Sequence, residues 1–307
     1  MKGNEDRSAQ SNVRESDIHQ AVLLKEAVFW LSPSEGGIYV DGNLGLGGHT
    51  AAILEASKPS GKVIGFDWDN EALTLAKKNL SRYGERVVYV RRNFAELDEV
   101  MTELGLAEVD GILLDLGLSS LQIDASGRGF SFQGNEPLDM RMDDRRGETA
   151  ADLLNHCSEE ELADIFYYYG EERQARRIAA HIVAERKKQK IVTTSQLVHL
   201  IVKAVPRRFH PQKIHVATRS FQGLRIAVNN ELDNLEKILT YGFRYIRPGG
   251  RFCVISFHSL EDRLVKRQFN NNKALRVLTP KPVMASDAEK GSNPRSRSAK
   301  MRVAEVR

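Results

Sequence analysis

The chain has 307 residues, a formal net charge of +4, 41% hydrophobic and 28% charged residues. This excludes a largely disordered chain or a disulfide-stapled mini-protein and leaves room for one large domain or two ordinary ones. Two cysteines, Cys157 and Cys253, fit a reducing compartment. No apolar run approaches the roughly 18–20 residues of a membrane span, and the polar first eighteen residues fit neither a signal nor a transit peptide. A soluble cytoplasmic protein with no membrane contact is expected. The basic pI of about 9.0 leans mildly toward a polyanionic partner.

Residues 1–17 read as a flexible tail. Beyond His19, Val22, Leu23, Leu24, Ala27, Val28, Trp30 and Leu31 mark an amphipathic helix that ends near Ser32-Pro33. Four strands follow: Ile38 to Val40, Lys62 to Phe66, Arg86 to Val90 and Val109 to Leu114. Between them lie helices over Gly48 to Ala56, Asn70 to Tyr83 and Glu96 to Leu104. Such alternation means βαβ units and a parallel sheet. It stops at a Gly-rich, charged stretch over Arg128 to Gly147, too long for an ordinary connection.

Thr149 to Val205 is helical throughout. Ser158 with Glu161 reads as a capping box, and Thr194 or Ser195 as a later cap. A long helix over Ala217 to Tyr245 ends at Pro248-Gly249-Gly250 and a buried strand follows, Arg251 to Phe257. Ser259 with Asp262 caps the next helix, to about Phe269. Two weak strands close the chain, Leu275 to Leu278 and Ala299 to Val306, with a Ser/Pro/Lys-rich loop between them. The simplest architecture is a doubly wound α/β sheet with a helical insertion after its fourth strand. By residue number, 18–127 and 213–307 form the sheet domain, and 128–212 the inserted loop and helices.

The first strand runs into Asp41-Gly42-Asn43-Leu44-Gly45-Leu46-Gly47-Gly48-His49, and the second ends at Asp67. Glycines after a parallel strand let a ligand approach the backbone, and an acid ending the second strand accepts hydrogen bonds from a ribose diol. A dinucleotide fingerprint has Gly directly after the strand. Here Asp41 stands there and would repel a pyrophosphate. It suits the ammonium of S-adenosylmethionine, which is therefore favoured over NAD. Asn93-Phe94 follows the third strand, where Phe94 can pack on adenine. Asp115 follows the fourth, on the edge where open α/β sheets bind ligands.

Nine motifs then stand in order: Gly47-Gly48-His49, Asp115 to Ser120, Arg128 to Phe132, Pro137 to Asp143, Tyr169 to Arg173, Ala217 to Gln222, Leu224 to Val228, Ile255 to Arg263 and Asn293 to Lys300. Together they resemble the bacterial 16S ribosomal RNA cytosine-N4 methyltransferases of the MraW/RsmH type, over nearly the whole chain after His19. The resemblance implies a Rossmann-like S-adenosylmethionine-dependent methyltransferase with an inserted helical domain for RNA recognition. It implies methylation of N4 of one cytidine in the decoding centre (P site) of 16S RNA, in the small ribosomal subunit. The family's cofactor positions carry over to Gly47, Gly48, His49, Asp67, Phe94, Asp115 and Gln122; Asp41 and Gly45 join them from the loop itself. Leu121 and Ile123 depart from the family's usual Ser-Ser-Pro-Gln-Leu-Asp.

Cytosine N4 is a weak nucleophile, so an acceptor for one of its protons is sought. The familiar Pro-Pro-aromatic motif is missing, and the candidates are Asp115, Asp139 and Asp143. Methylation at C5 would need a thiolate. Cys253 lies in an apolar strand and Cys157 in the insertion, so neither is placed for it. Phe130, Phe132 and Phe257 are candidates to stack on an extruded base. His258, Arg173, Arg176, Arg177, Arg219, Arg295 and Arg297 are candidates for RNA contact. No metal is expected. Rival readings are a methyltransferase acting on protein or a small molecule, and a non-catalytic rRNA-binding assembly factor.

Overall fold

The computed structural model describes residues 21–119, 122, 126–145 and 147–307. The expected tail at 1–17 and the departures at Leu121 and Ile123 lie outside these. The elements run α1 (Leu24–Leu31), β1 (Ile38–Asp41), α2 (Gly48–Ala56), β2 (Lys62–Phe66), α3 (Asn70–Asn79), β3 (Val87–Val90), α4 (Leu97–Glu103) and β4 (Val109–Asp115). The insertion carries α5 (Ala150–His156), α6 (Glu159–Asp164), a π-helical turn (Ile165–Tyr169), α7 (Ala175–Arg186) and α8 (Thr194–Ala204). Then come α9 (Thr218–Asn229), α10 (Glu231–Tyr241), β5 (Ile246–Ser256), α11 (Ser259–Asn271), β6 (Leu275–Val277), β7 (Val283–Met284), α12 (Asp287–Ser292) and β8 (Lys300–Val306). Among the described residues no helix is long and apolar enough to cross a membrane.

The strands lie in the order β3-β2-β1-β4-β5-β8-β6, with β7 also on β8. The first five are parallel, and β8 turns antiparallel against β5 and β6. The order in which the chain adds strands therefore reverses between β1 and β4, the point where a doubly wound sheet opens a crevice. One face buries Phe66, Ile112 and Phe252 under α4, α10 and α11. The other packs Tyr39, Leu113 and Val303 of the sheet with Leu31 of α1, Ile53 of α2 and Leu73 of α3. A separate helical core runs from Phe130 to Leu224 and takes in Val216, Ala217 and Phe221 of the α9 region, beyond residue 212.

Several expectations need correction. The single helix over Ala217 to Tyr245 is two, because Asn230 adopts a left-handed conformation (φ 50°) and breaks it. Asparagine tolerates that region better than most residues, so no glycine marks the break. Pro248-Gly249-Gly250 lies within β5, at an irregularity in its pairing with β4, and does not precede the strand. The helix after β2 stops at Asn79 and continues as 3-10 turns. The cap of α8 is Thr193, with Gln196. His258 caps α11 through a reciprocal pair with Glu261, in place of Ser259 with Asp262. The capping box of Ser158 and Glu161 stands.

Candidate active site

The crevice between β1 and β4 is a cavity of about 270 Å³. Its floor is the loop after β1. Gly42 N–H continues the sheet by donating to Leu113 O at 2.9 Å, and Leu44 N–H donates to Phe66 O at 2.8 Å. Gly47 starts α2 at φ +88°, and a Cβ there would stand 2.7 Å from Leu80 Cδ1. Glycine is required on both counts. Gly45 N–H donates to Asp67 Oδ2 at 2.9 Å, which ties the loop to the end of β2.

Asp67 also accepts from Asp69 N–H at 2.9 Å. Burial pushes its carboxyl up to about 7 against those two donors, with Asp69 and Asp41 adding to the rise. Asp115 ends β4. Its Oδ2 lies 3.4 Å from His49 Nε2, while Oδ1 is buried without a hydrogen-bond partner among the described residues. Burial pushes this carboxyl up to about 8, and Asp41 and Glu261 reinforce the shift. An orphaned buried carboxylate oxygen is costly, and a cationic or N–H-bearing ligand would satisfy it.

The cavity brings together Gly45, Gly48, His49, Asp67, Asp115 and Gln122, with Phe257 and Arg295 at its wall. Gln122 bridges two strand ends: its Oε1 accepts from Ser119 N–H at 3.1 Å and its Nε2 donates to Asp69 at 3.2 Å. Asp41 does not line the cavity. It is fully buried beneath the loop, where Thr50 Oγ1 donates to it at 2.7 Å, so it is not presented to a ligand's ammonium. Phe94 is likewise only 8% exposed and packs in the sheet core, beside Gly42.

The other candidate carboxylates stand apart. Asp139 accepts from Arg141 Nε at 2.8 Å and Nη2 at 2.7 Å; burial opposes ionisation, but Arg141 holds the carboxyl below the usual range. Asp143 is paired in the same way with Arg145 and also lowered by it. It lines a second cavity of about 200 Å³ beyond Trp68. Phe130 is buried in the helical core, and Phe132 stacks on His215 with ring centroids 4.9 Å apart. His258 caps α11, its Nε2 3.1 Å from Glu261 Oε1. Burial pushes the Cys253 thiol up to about 12, so that group is inert.

Arg173, Arg176 and Arg177 stand exposed at the start of α7 and have no ion pair among the described residues. Arg219 is half-buried on α9. Arg297 is exposed and donates to Lys290 O at 3.2 Å. Arg186, another cation of that stretch, is committed to Leu154 O.

The MraW methylase family matches residues 16–307. The chain belongs to that family. It is 57% identical over 288 residues to the "Ribosomal RNA small subunit methyltransferase H" of Desulfotalea psychrophila, covering 94% of this chain and 98% of that one. A protein of the same name from Geotalea uraniireducens is 52% identical over 309 residues, covering 94% and 99%. Among solved structures, an S-adenosylmethionine-dependent O-methyltransferase from Thermotoga maritima matches at 15% identity and a TM-score of 0.41, covering 94% of this chain and 67% of that one.

Four residues at the site escape a reading of the sequence. Trp68 lines both cavities. Asp69 is 3% exposed, caps α3 and pairs with Arg128, whose Nη1 also donates to Arg141 O at 3.0 Å. Arg225 of α9 reaches the cavity wall. Their one signal is position: Trp68 and Asp69 directly follow Asp67, and the two arginines stand within matched runs.

Proposed function

We propose that this family member transfers a methyl group from S-adenosylmethionine to the exocyclic N4 of a cytidine in the decoding centre of 16S ribosomal RNA. The observation that carries the reading is Asp115: a half-buried carboxylate with one oxygen buried and without a hydrogen-bond partner among the described residues, at the switch point of the sheet, facing a cavity floored by a glycine loop. The named relatives, ribosomal RNA small subunit methyltransferases, support the substrate class.

The residues present fit the cofactor. Its sulfonium and ammonium suit the carboxylates of Asp67 and Asp115, and its carboxylate suits a wall that also carries Arg225 and Arg295. When bound, it supplies a methyl group on a sulfonium. Asp67 would accept from the ribose hydroxyls, and the backbone around Gly45 to Gly48 allows close approach. Gln122 and Asp69 would hold the loops on either side. Asp115 would accept a hydrogen bond from the N4 amine, localising its lone pair, and draw its proton away as the bond to carbon forms. Asp139 and Asp143, already held by arginines, would shape the loop. Alignment supplies most of the remainder, as in any in-line displacement.

The inserted helices would carry RNA recognition. Arg173, Arg176 and Arg177 form an exposed cationic face suited to phosphates. The test is incubation with methyl-labelled S-adenosylmethionine and either naked 16S RNA or small subunits. Label in the RNA is expected with at least one of them. Incorporation into neither, with cofactor binding verified, would overturn the reading.

A further inference from the structure

Arg225 is a cation built into the cavity wall by a feature that the helix break creates. Asn230 turns the chain between α9 and α10, and the first residue of α10, Glu231, comes back against Arg225. Nε donates to Glu231 Oε1 at 2.7 Å and Nη2 to Oε2 at 2.8 Å. This side-on pair leaves the end-on edge, Nη1 and the second hydrogen of Nη2, with no partner among the described residues. That edge belongs to a residue lining the same cavity as Asp115.

The surroundings select what this edge takes. The carboxylates of Glu231 and Glu261 and the ring of His258 lie within 4.8 Å of one another. Glu261 acts on both Arg225 and Asp115. Two carboxylates therefore offset one guanidinium, and a phosphate placed there would meet their repulsion. A neutral pair of adjacent acceptors meets no such cost. A fixed guanidinium matches two neighbouring acceptors on a base edge, as arginines do at guanine.

We propose that Arg225 is a specificity-determining residue that donates to the O2 and N3 acceptors of the target cytosine while N4 faces Asp115. This rests on the cytosine-N4 reading above. Uracil carries N–H at N3 and would set donor against donor. Glu231 holds the guanidinium in place and is a positioning residue.

The test is a cycle between protein and base. The target cytidine is replaced by 3-deazacytidine, which has C–H in place of N3, in ligated 16S RNA assembled into small subunits. Methyl transfer is measured for wild type, Arg225→Gln and Arg225→Lys, with cofactor affinity as the check on folding. In the wild type, deleting N3 should lower kcat/KM about tenfold or more. In Arg225→Gln the unmodified substrate should lose a similar factor, and the deaza base should add little further. Arg225→Lys should fall between. Equal deaza penalties in wild type and Arg225→Lys, or none in the wild type, would overturn the proposal even if Arg225→Gln fails to fold. A variant effect that appears only as a changed salt dependence of RNA binding would mean a phosphate contact and also overturn it. Failure of the wild type to methylate N4 of ordinary cytidine would instead sink the parent reading.

Discussion

Asp69 and Arg128, 59 residues apart in the chain, meet as an ion pair whose carboxylate is 3% exposed. Asp69 follows β2 at the edge of the cavity. Arg128 opens the inserted loop and also holds the carbonyls of Arg141 and Met142. The pair therefore fastens the insertion to the edge of the cavity. Arg128→Ala would leave a buried carboxylate with Gln122 as its remaining side-chain partner among the described residues. We expect a loss of about 3 kcal/mol in unfolding free energy, together with weaker cofactor binding. Denaturant unfolding and calorimetric titration of the variant measure the two, and unchanged values in both would remove the fastening role.

Asp115→Asn separates chemistry from folding. The substitution removes a charge that burial disfavours, so the ligand-free protein should keep its stability or gain some. Methyl transfer should fall about 100-fold or more, because the amide accepts a proton poorly. Asp139→Asn and Asp143→Asn should each reduce it less than about tenfold, since both carboxylates serve arginines of the loop. Single-turnover rates for the three variants order them directly. A larger loss at Asp139 or Asp143 than at Asp115 would move the proton acceptor.

The two carboxylates of the cavity also set a pH dependence. Folded Asp67 titrates near 7 and folded Asp115 near 8, whereas an unfolded Asp titrates near about 3.9. Between about pH 4 and 8 the ligand-free folded protein holds more protons than the unfolded chain, so its stability falls as pH rises. A cationic ligand favours the ionised carboxylates. Its affinity should therefore rise with pH through this window, and binding near pH 7 should release protons. Titration calorimetry in two buffers of different ionisation heat reports that release. Heats independent of buffer would contradict it.

Much of this was legible in the sequence where the signals are local. The bounds of α2, Gly48–Ala56, follow from glycines that allow a left-handed entry at Gly47. The β1 and β4 ends follow from apolar runs stopped by acids. The break at Asn230 was not legible, because Asn-Asn carries no sharp stop signal. The short β7 has two residues and no pattern to betray it. At the site, Asp67 and Asp115 are announced by their place at strand ends. Asp41 shares that place, but Thr50 one turn into α2 turns it inward. Asp69 with Arg128, and Arg225 with the cavity, are relations across distant segments that no local spacing encodes.

The exposed arginines at the start of α7 predict a salt effect. Replacing Arg173, Arg176 and Arg177 together with alanine should weaken RNA binding. The slope of log affinity against log salt should flatten by about 0.7–0.9 for each phosphate that is no longer neutralised. Cofactor affinity should stay as it was. Filter binding across a salt series checks the slope, and an unchanged slope would assign these residues to a merely solvated helix face.

The identity of the acceptor atom is central. Small subunits from cells lacking this protein would be methylated with labelled S-adenosylmethionine, digested to nucleosides and resolved by mass. Label is predicted in N4-methylcytidine, from a single site in 16S RNA, and should be lost in Asp115→Asn. Label in another nucleoside, or in ribosomal protein, would contradict this assignment.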